Sequence, residues 1–540
     1  MVKSLPDELL DAKTPDEVDI RMKARQPDFD PTLGVAVTPK AASGASVNRL
    51  VAIGDSLTHG FQSGAIFNTR NSWPMIVAWE LGWDSSMRYP THDGFGGLPL
   101  NIEYLIRHLE SKYGEKISWW EAAFAAFEAR HVMAQIEDWW ERGPGSHVPQ
   151  ISGIMHNLAV YGWDLRDALS RDATNLTAAI GQPKNNVLSQ IVENANERAA
   201  LRVYASAKDA AGSPLTVLAA AKALGDQGAT LENGKLDPAG DGIETLVVFL
   251  GANNALGAIV SLRVKWSDVG YDTLGKKDAF TVWRPTHFAT ELTLLVAELK
   301  KVKARHVIVC NVPHVTIAPL ARGVATKVRP DSRYFPYYTR PWITDQQFNP
   351  NDDPNITGQE ARAIDSAIDQ YNVAIADAVK QARVAKLDWY LLDVAGILDR
   401  LAARRYFGQP RVQPAWWTPY ELPPELAALK PTPPDSRFFV SGPHGREQGG
   451  LFSLYGVHPT TITYGIIAQE VINVMQRAGV TFYLGDGKTK RQGPVRVDFN
   501  RLLRLDTLIS DPPRSLSADL KLIGWLDETV DVFRRILRNG

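Results

Sequence analysis

The sequence predicts an α/β fold built around a parallel sheet, and three observations lead to it. Five short apolar runs, rich in β-branched residues, lie at 50–53, 154–160, 246–250, 307–312 and 389–394. Runs of this length without polar alternation suit strands buried on both faces. Helical patterns separate them, and strands joined through helices run parallel with crossover connections. Finally, 44% of the residues are hydrophobic and 22% charged, enough apolar material for a large core and too little charge for wholesale disorder.

Two of the intervening helices are especially legible. Thr357 and Glu360 form a capping box, in which each side chain satisfies a backbone N–H at the helix start. The stripe Ile364, Ile368, Tyr371, Ile375 and Val379 follows at helical spacing. A second stripe, Ile462, Ile466, Ile467, Val471, Val474 and Met475, follows His458 and closes at Gly479.

The chain has 540 residues, over three times the ~150 of a typical domain, yet the five runs span most of it. The excess is therefore expected as decoration within one fold. Between the first two runs lie seven Trp, at 73, 79, 83, 119, 120, 139 and 140, while 315–356 and 400–450 are rich in Pro and aromatic residues. Long loops in a compact domain are usually functional, so these insertions are expected to build a lid or substrate wall. The expected organisation is an N-terminal extension at 1–48, a main domain at 49–480 with insertions at about 61–150, 315–356 and 400–450, and a helical extension at 481–540. Leu502, Leu505, Leu508 and Ile509, then Leu526, Val530, Phe533, Ile536 and Leu537, recur there at roughly helical spacing. With Arg534, Arg535 and Arg538 nearby this tail could touch a membrane, but docking on the main body is the commoner use of an amphipathic helix.

Composition also excludes. Lys plus Arg number 59 and Asp plus Glu 60, so the net charge of −1 lacks the positive excess of a nucleic-acid binder. Lys488, Lys490, Arg491 and Arg496 read as a solvated loop. One cysteine, Cys310, leaves no intrachain disulfide and no cysteine-based zinc site; Asn351-Asp352-Asp353 lacks the spacing of a calcium loop, and no phosphate-binding glycine loop occurs. Neither metal nor cofactor is expected. No signal peptide or membrane-spanning run is visible, which gives the expectation of a soluble, cytoplasmic chain.

Four segments carry candidate chemistry. The first run ends in Gly54-Asp55-Ser56-Leu57, placing a serine at the C-terminal edge of a parallel strand, where such sheets bind ligands. Its N–H and the following helix dipole favour developing negative charge, although Asp55 or Ser56 could equally be a plain helix cap. After the second run, Gly162 permits a close backbone approach, and Asn253, after the third, brings a side-chain amide to the same edge. His458 stands on a Gly/Pro-framed turn in Gly456-Val457-His458-Pro459. His59, three residues after Ser56, could face the same place but is more simply a helical histidine.

Together these blocks resemble the SGNH, or GDSL-type, hydrolases. The matches are Gly54-Asp55-Ser56-Leu57, the segment from Asn157 to Gly162, Gly251-Ala252-Asn253-Asn254 and Gly456-Val457-His458-Pro459, in the family's order; Val309-Cys310-Asn311-Val312-Pro313 is a weaker one. The resemblance covers the sheet and its edge. It leaves the Trp-rich insertion, residues 400–450 and the C-terminal extension unexplained. It implies a three-layer α/β/α fold with a five-stranded parallel flavodoxin-like sheet. It also implies an esterase or lipase-like activity on small-molecule carboxylic esters (acyl esters, lipids or acylated sugars), with acyl transfer using the same residues. Ser56 would be the nucleophile and His458 the general base, with the Ser56 N–H, the Gly162 N–H and the Asn253 amide forming the oxyanion hole.

One position departs from that pattern. The family usually has Asp three residues before the histidine, where this chain has Tyr455; Asn254 stands where an Asp is also frequent. A neutral phenol cannot supply the missing charge. Three arrangements fit: a backbone carbonyl orients the imidazole of a Ser–His dyad, a carboxylate such as Glu447 substitutes in space, or the chain is a weak or inactive relative that binds ligand without turnover.

Overall fold

The computed structural model describes residues 9–38, 44–118, 120–149, 151–183, 191–516 and 524. The apolar runs become β1 (Asn48–Gly54), β2 (Ile243–Phe249), β3 (Ala304–Cys310) and β4 (Trp389–Leu392), which pair in parallel in the order β4-β3-β2-β1. The helices that frame the site are α1 (Ser56–His59), α2 (Trp73–Glu80), α3 (Leu165–Ser170), α4 (Val217–Gly225), α5 (Asn253–Ser261), α6 (Pro285–Leu299), α7 (Gly358–Val384), α8 (Val394–Leu401), α9 (Thr461–Arg477) and α10 (Phe499–Leu505). The capping box of Thr357 and Glu360 is present at the start of α7.

Side chains alternate along a strand, so each continuous apolar run feeds two cores. Val51, Ile53, Leu246, Val248, Val307 and Val309 join α4, α5, α6 and α7 in one buried cluster. Leu50, Ala52, Val247, Phe249, Ile308 and Cys310 join α2, α9 and α10 in the other. Helices thus cover both faces of a parallel sheet, as the apolar runs require.

Among the described residues the parallel sheet has four strands where five were expected. Residues 154–160 run beside β1 but make only an isolated parallel bridge, Asn157 to Ala52. Ala52 N–H donates to His156 O and Leu158 N–H to Ala52 O, both at 2.8 Å, and Val160 N–H reaches Gly54 O at 3.2 Å. Other polar contacts compete with a longer ladder. Arg88 N–H donates to His156 Nδ1 at 2.8 Å, and Ala159 N–H turns back onto Asn157 Oδ1 at 3.2 Å.

The extensions and insertions serve this core. The N-terminal segment covers the β4 edge, where Leu391 N–H donates to Pro31 O at 2.9 Å. Trp73 and Trp140 are fully buried, and Trp140 Nε1 donates to Phe95 O at 3.0 Å, so these tryptophans fill volume. Of the expected C-terminal helical extension the structure describes α10 and a short helix, Thr507–Ser510; the stripe from Leu526 to Leu537 lies outside the described residues. Among the described residues no helix is long and apolar enough to cross a membrane.

A buried ion pair ties the N-terminal segment to the sheet. Arg25 Nη2 bonds Asp393 Oδ1 at 2.5 Å, while Asp393 also accepts from Asn311 Nδ2 at 2.6 Å and from the Gly396 N–H at 2.8 Å. Removing one partner of such a pair strands the other charge. Arg25→Met is expected to lower stability by about 3 kcal/mol in urea melts, with the slope unchanged. A midpoint within error of the parent would show that the extension does not hold the sheet edge.

Candidate active site

β1 delivers Ser56 to the rim of the sheet through a tight turn. Asp55 caps α1, its Oδ1 accepting the Leu57 N–H at 3.0 Å, and Ser56 is the first helical residue. A Cβ at Gly54 would stand 2.2 Å from Thr58 Oγ1 and 2.9 Å from Phe249 O, so only glycine lets α1 fold back this closely. Because α1 has a single turn, its dipole is that of a few peptide units, and the expected help from a helix dipole is small.

The histidine arrives from the far end of the chain. Ser453 N–H donates to His458 O at 2.8 Å, and Ser63 N–H donates to Ser453 Oγ at 2.9 Å, which fixes the turn against the segment after α1. Tyr464 on α9 donates its hydroxyl to Phe61 O at 2.8 Å. These contacts set His458 Nε2 at 2.7 Å from Ser56 Oγ, with both residues buried. With Nε2 unprotonated, the serine hydroxyl donates to it, the arrangement needed for proton removal during attack.

The other imidazole nitrogen, Nδ1, is buried, and among the described residues it has no hydrogen-bond partner, neither a backbone carbonyl nor a carboxylate. Glu447 is exposed on a short strand, Gly445–Gln448, and Asp55 turns to its own helix N–H. Aromatic rings hold the imidazole instead. Tyr455 stacks on it with centroids 5.8 Å apart and planes 11° apart, and Phe61 packs at 4.6 Å. Burial without a compensating anion pushes the His458 pKa down to about 3. Burial also pushes the Asp55 carboxyl up to about 7, against the lowering effect of the Leu57 N–H.

Gly162 and Asn253 come to the same rim from opposite sides of β1. The bond from Val160 N–H to Gly54 O places the 157–162 segment on one flank, and the Asp55 N–H bond to Phe249 O at 3.3 Å places the β2 end on the other. Gly162 adopts φ 77°, a left-handed conformation that strains other residues. Asn253 Nδ2 donates one hydrogen to Trp163 O at 2.8 Å, which joins the two flanks and leaves its second hydrogen for another acceptor. Asn254 is fully buried, and neither atom of its amide has a partner. His59 is structural: its Nδ1 accepts the Tyr161 N–H at 3.2 Å, tying α1 to the 157–162 segment.

Two cavities of opposite character meet at this rim. One contains Ser56 and His458 in a wall otherwise made largely of apolar side chains, among them Phe249, Val315, Ile397, Leu398 and Ile467. The other holds Gly162 and Asn253 beside Asp164, Asp167 and Lys277. Leu256 lines both. The expected substrate wall is thus supplied in part by 315–356 (Val315, Ala318) and 400–450 (Leu401), whereas the Trp-rich 61–150 segment lines neither cavity. The apolar lining and the charged wall escaped the sequence reading; only the Asp164–Asp167 capping box was a local signal for them.

Among the described residues no group of three or more His, Cys, Asp or Glu side chains could hold a metal ion. The chain matches no protein-family model, and no curated protein matches it in sequence.

The lowered pKa has a direct signature. An unfolded histidine takes up a proton near pH 6.5, whereas His458 in the folded protein does so only near pH 3, so this residue's contribution to stability falls as the pH drops between those values. Histidine ¹⁵N spectra at pH 5 are expected to find His458 neutral, with one unprotonated ring nitrogen. An imidazolium pattern at that pH would contradict the environment described.

Proposed function

We propose that the protein is a serine hydrolase of the SGNH type that cleaves carboxylic esters. The 2.7 Å contact between His458 Nε2 and Ser56 Oγ carries this reading. In the first half-reaction Ser56 Oγ bonds to the ester carbonyl carbon while His458 takes the hydroxyl proton. The bond to the alkoxy oxygen then breaks, and that proton goes to the departing alcohol. In the second, water attacks the acyl-serine, loses a proton to His458 and releases the acid, and Ser56 regains its proton. An alcohol in place of water gives acyl transfer.

The flanking groups support the reading. The Ser56 and Gly162 N–H groups and the second hydrogen of Asn253 Nδ2 are the assigned oxyanion donors, and one well-placed donor contributes roughly 3–4 kcal/mol. Counting 154–160 as a reduced fifth strand gives the flavodoxin-like order, with β1 between the second segment and β2. Ser56 and Asn253 then leave the sheet at its switch point, where open α/β sheets bind ligands. The apolar wall beside Ser56 fits an aliphatic group, and each buried methylene stabilises by about 0.8 kcal/mol. The unpartnered Nδ1 favours one competing reading, a ligand-binding protein without turnover.

Turnover of p-nitrophenyl esters separates the two. Ser56→Ala is expected to reduce hydrolysis by on the order of 10³–10⁴ and to abolish labelling by a fluorophosphonate. Hexanoate is expected to exceed acetate in kcat/KM by at least about tenfold. Equal rates for Ser56→Ala and the parent would leave the binding reading.

The aromatic clamp makes a second prediction. Tyr455→Phe is expected to keep kcat within about twofold, because the stacked ring remains, and Tyr455→Ala to lower kcat by on the order of 10–100 with KM little changed. The acid limb of kcat/KM for the parent is expected below pH 5, since the imidazole stays neutral there. Tyr455→Asp should move that limb upward by stabilising the imidazolium. An acid limb near pH 6.5 in the parent would argue against an uncompensated buried histidine.

A further inference from the structure

A pocket lined by guanidinium groups lies where two of the insertions meet. Thr316, Arg333 and Tyr338 come from 315–356, and Arg404, Arg405 and Ser436 come from 400–450. Val315 and Leu401 line the apolar cavity, and the next residues, Thr316 and Ala402, line this pocket, so it stands behind the wall of that cavity. Among the described residues its lining holds three guanidinium groups and no carboxylate.

The three charges are not equally balanced. Arg405 Nη2 bonds Asp365 Oδ2 at 2.5 Å, and its Nη1 stands 3.6 Å from Asp399 Oδ1, so this guanidinium has its counter-charge. Arg404 Nη2 donates to Ala321 O at 2.7 Å, a neutral partner. Arg333 lies over the Tyr334 ring, 5.3 Å from its centroid. Among the described residues neither Arg333 nor Arg404 has a carboxylate at ion-pairing distance. The excess reaches Lys327, whose ammonium donates to Arg405 O at 2.6 Å. Burial, then Arg405 and Arg333, push that ammonium down to about 8.

Hydrogen bonding leads to the same place. Arg333 and Arg405 are 6% and 5% exposed, and Nη1 of each is buried without a hydrogen-bond partner. Ser436 Oγ accepts the Ala403 N–H at 2.8 Å, and the Tyr338 hydroxyl accepts the Phe335 N–H at 3.3 Å. Both buried hydroxyls therefore keep their protons for another acceptor. The Thr316 hydroxyl is engaged between Arg405 and Asp365. Buried donors left unmatched are costly, and a buried charge more so. Water can accept these hydrogen bonds but leaves the Arg333 charge without a counterion. A tetrahedral dianion meets both needs: two guanidiniums lack a counter-charge, and planar N–H forks match pairs of its oxygens.

We infer that this pocket binds a tetrahedral oxyanion of the phosphate or sulfate class, held by Arg333, Arg404 and Arg405 with the Ser436 and Tyr338 hydroxyls. The bound group fastens the two insertions to each other behind the apolar cavity. The site is separate from Ser56 and does not depend on the hydrolase reading.

Calorimetric titration of the full chain with inorganic phosphate, sulfate, chloride and methyl phosphate at equal ionic strength tests this. Phosphate and sulfate are expected to bind saturably and to raise Tm, with chloride at least about tenfold weaker. Arg333→Met and Arg404→Gln are each expected to weaken phosphate by about tenfold or more, as for a lost hydrogen bond between charged groups. Arg404 is only half-buried, so Arg404→Gln carries the test if Arg333→Met does not fold; melts without phosphate check both. Methyl phosphate bound as tightly as phosphate assigns the site to the end of a larger phosphorylated ligand, and phosphate bound alone assigns it to the free ion. Absence of saturable binding, chloride bound as tightly as phosphate, or phosphate affinity unchanged in folded Arg404→Gln overturns the inference.

Discussion

The bond between Ser56 and His458 joins residues 402 apart in sequence, and the rest of the site is arranged around making it. A serine hydroxyl is a weak nucleophile until a base stands within hydrogen-bond distance, so the fold has to deliver both side chains to one point with little tolerance. The parallel sheet does this by ending its strands on a common rim. Gly54 lets the chain turn sharply after β1, and α9 is anchored to the segment after α1 through the Tyr464 hydroxyl and Phe61 O. The insertions can then be long without harm, because each leaves and re-enters a frame that the strand ladder holds fixed.

Burial sets the character of that bond. An aspartate under Nδ1 would raise the imidazole pKa and stabilise the cation formed during attack; here desolvation acts alone and the ring stays neutral. For the proposed hydrolase, the consequence is a base available over a wide pH range but with less driving force for taking a proton. Orientation then has to come from shape. Phe61 and Tyr455 restrict the ring from its faces, and the short contact with Ser56 fixes its rotation. Asp55 completes the same environment, since burial that raises a carboxyl to about 7 reduces the negative charge beside the nucleophile.

Much of this was legible in the sequence because it rests on local rules. Four of the apolar runs became strands, since a run buried on both faces has few other uses, and the capping box at Thr357 and Glu360 marked the start of α7. Ser56, Gly162 and Asn253 were readable at the ends of apolar runs and His458 on a Gly/Pro-framed turn; the structure sets His458 against Ser56, while Gly162 and Asn253 line the neighbouring cavity. Residues 154–160 form less ladder than their hydrophobicity suggests because part of the segment bonds elsewhere: the His156 N–H donates to Arg88 O and the Ala159 N–H to Asn157 Oδ1. A large aromatic side chain suits a surface wall or a core equally, and only packing decides: Trp73 and Trp140 fill the interior, whereas Trp79 and Trp120 are exposed. Lys277 lies 113 residues from Asp164, a pairing that no spacing rule could have suggested.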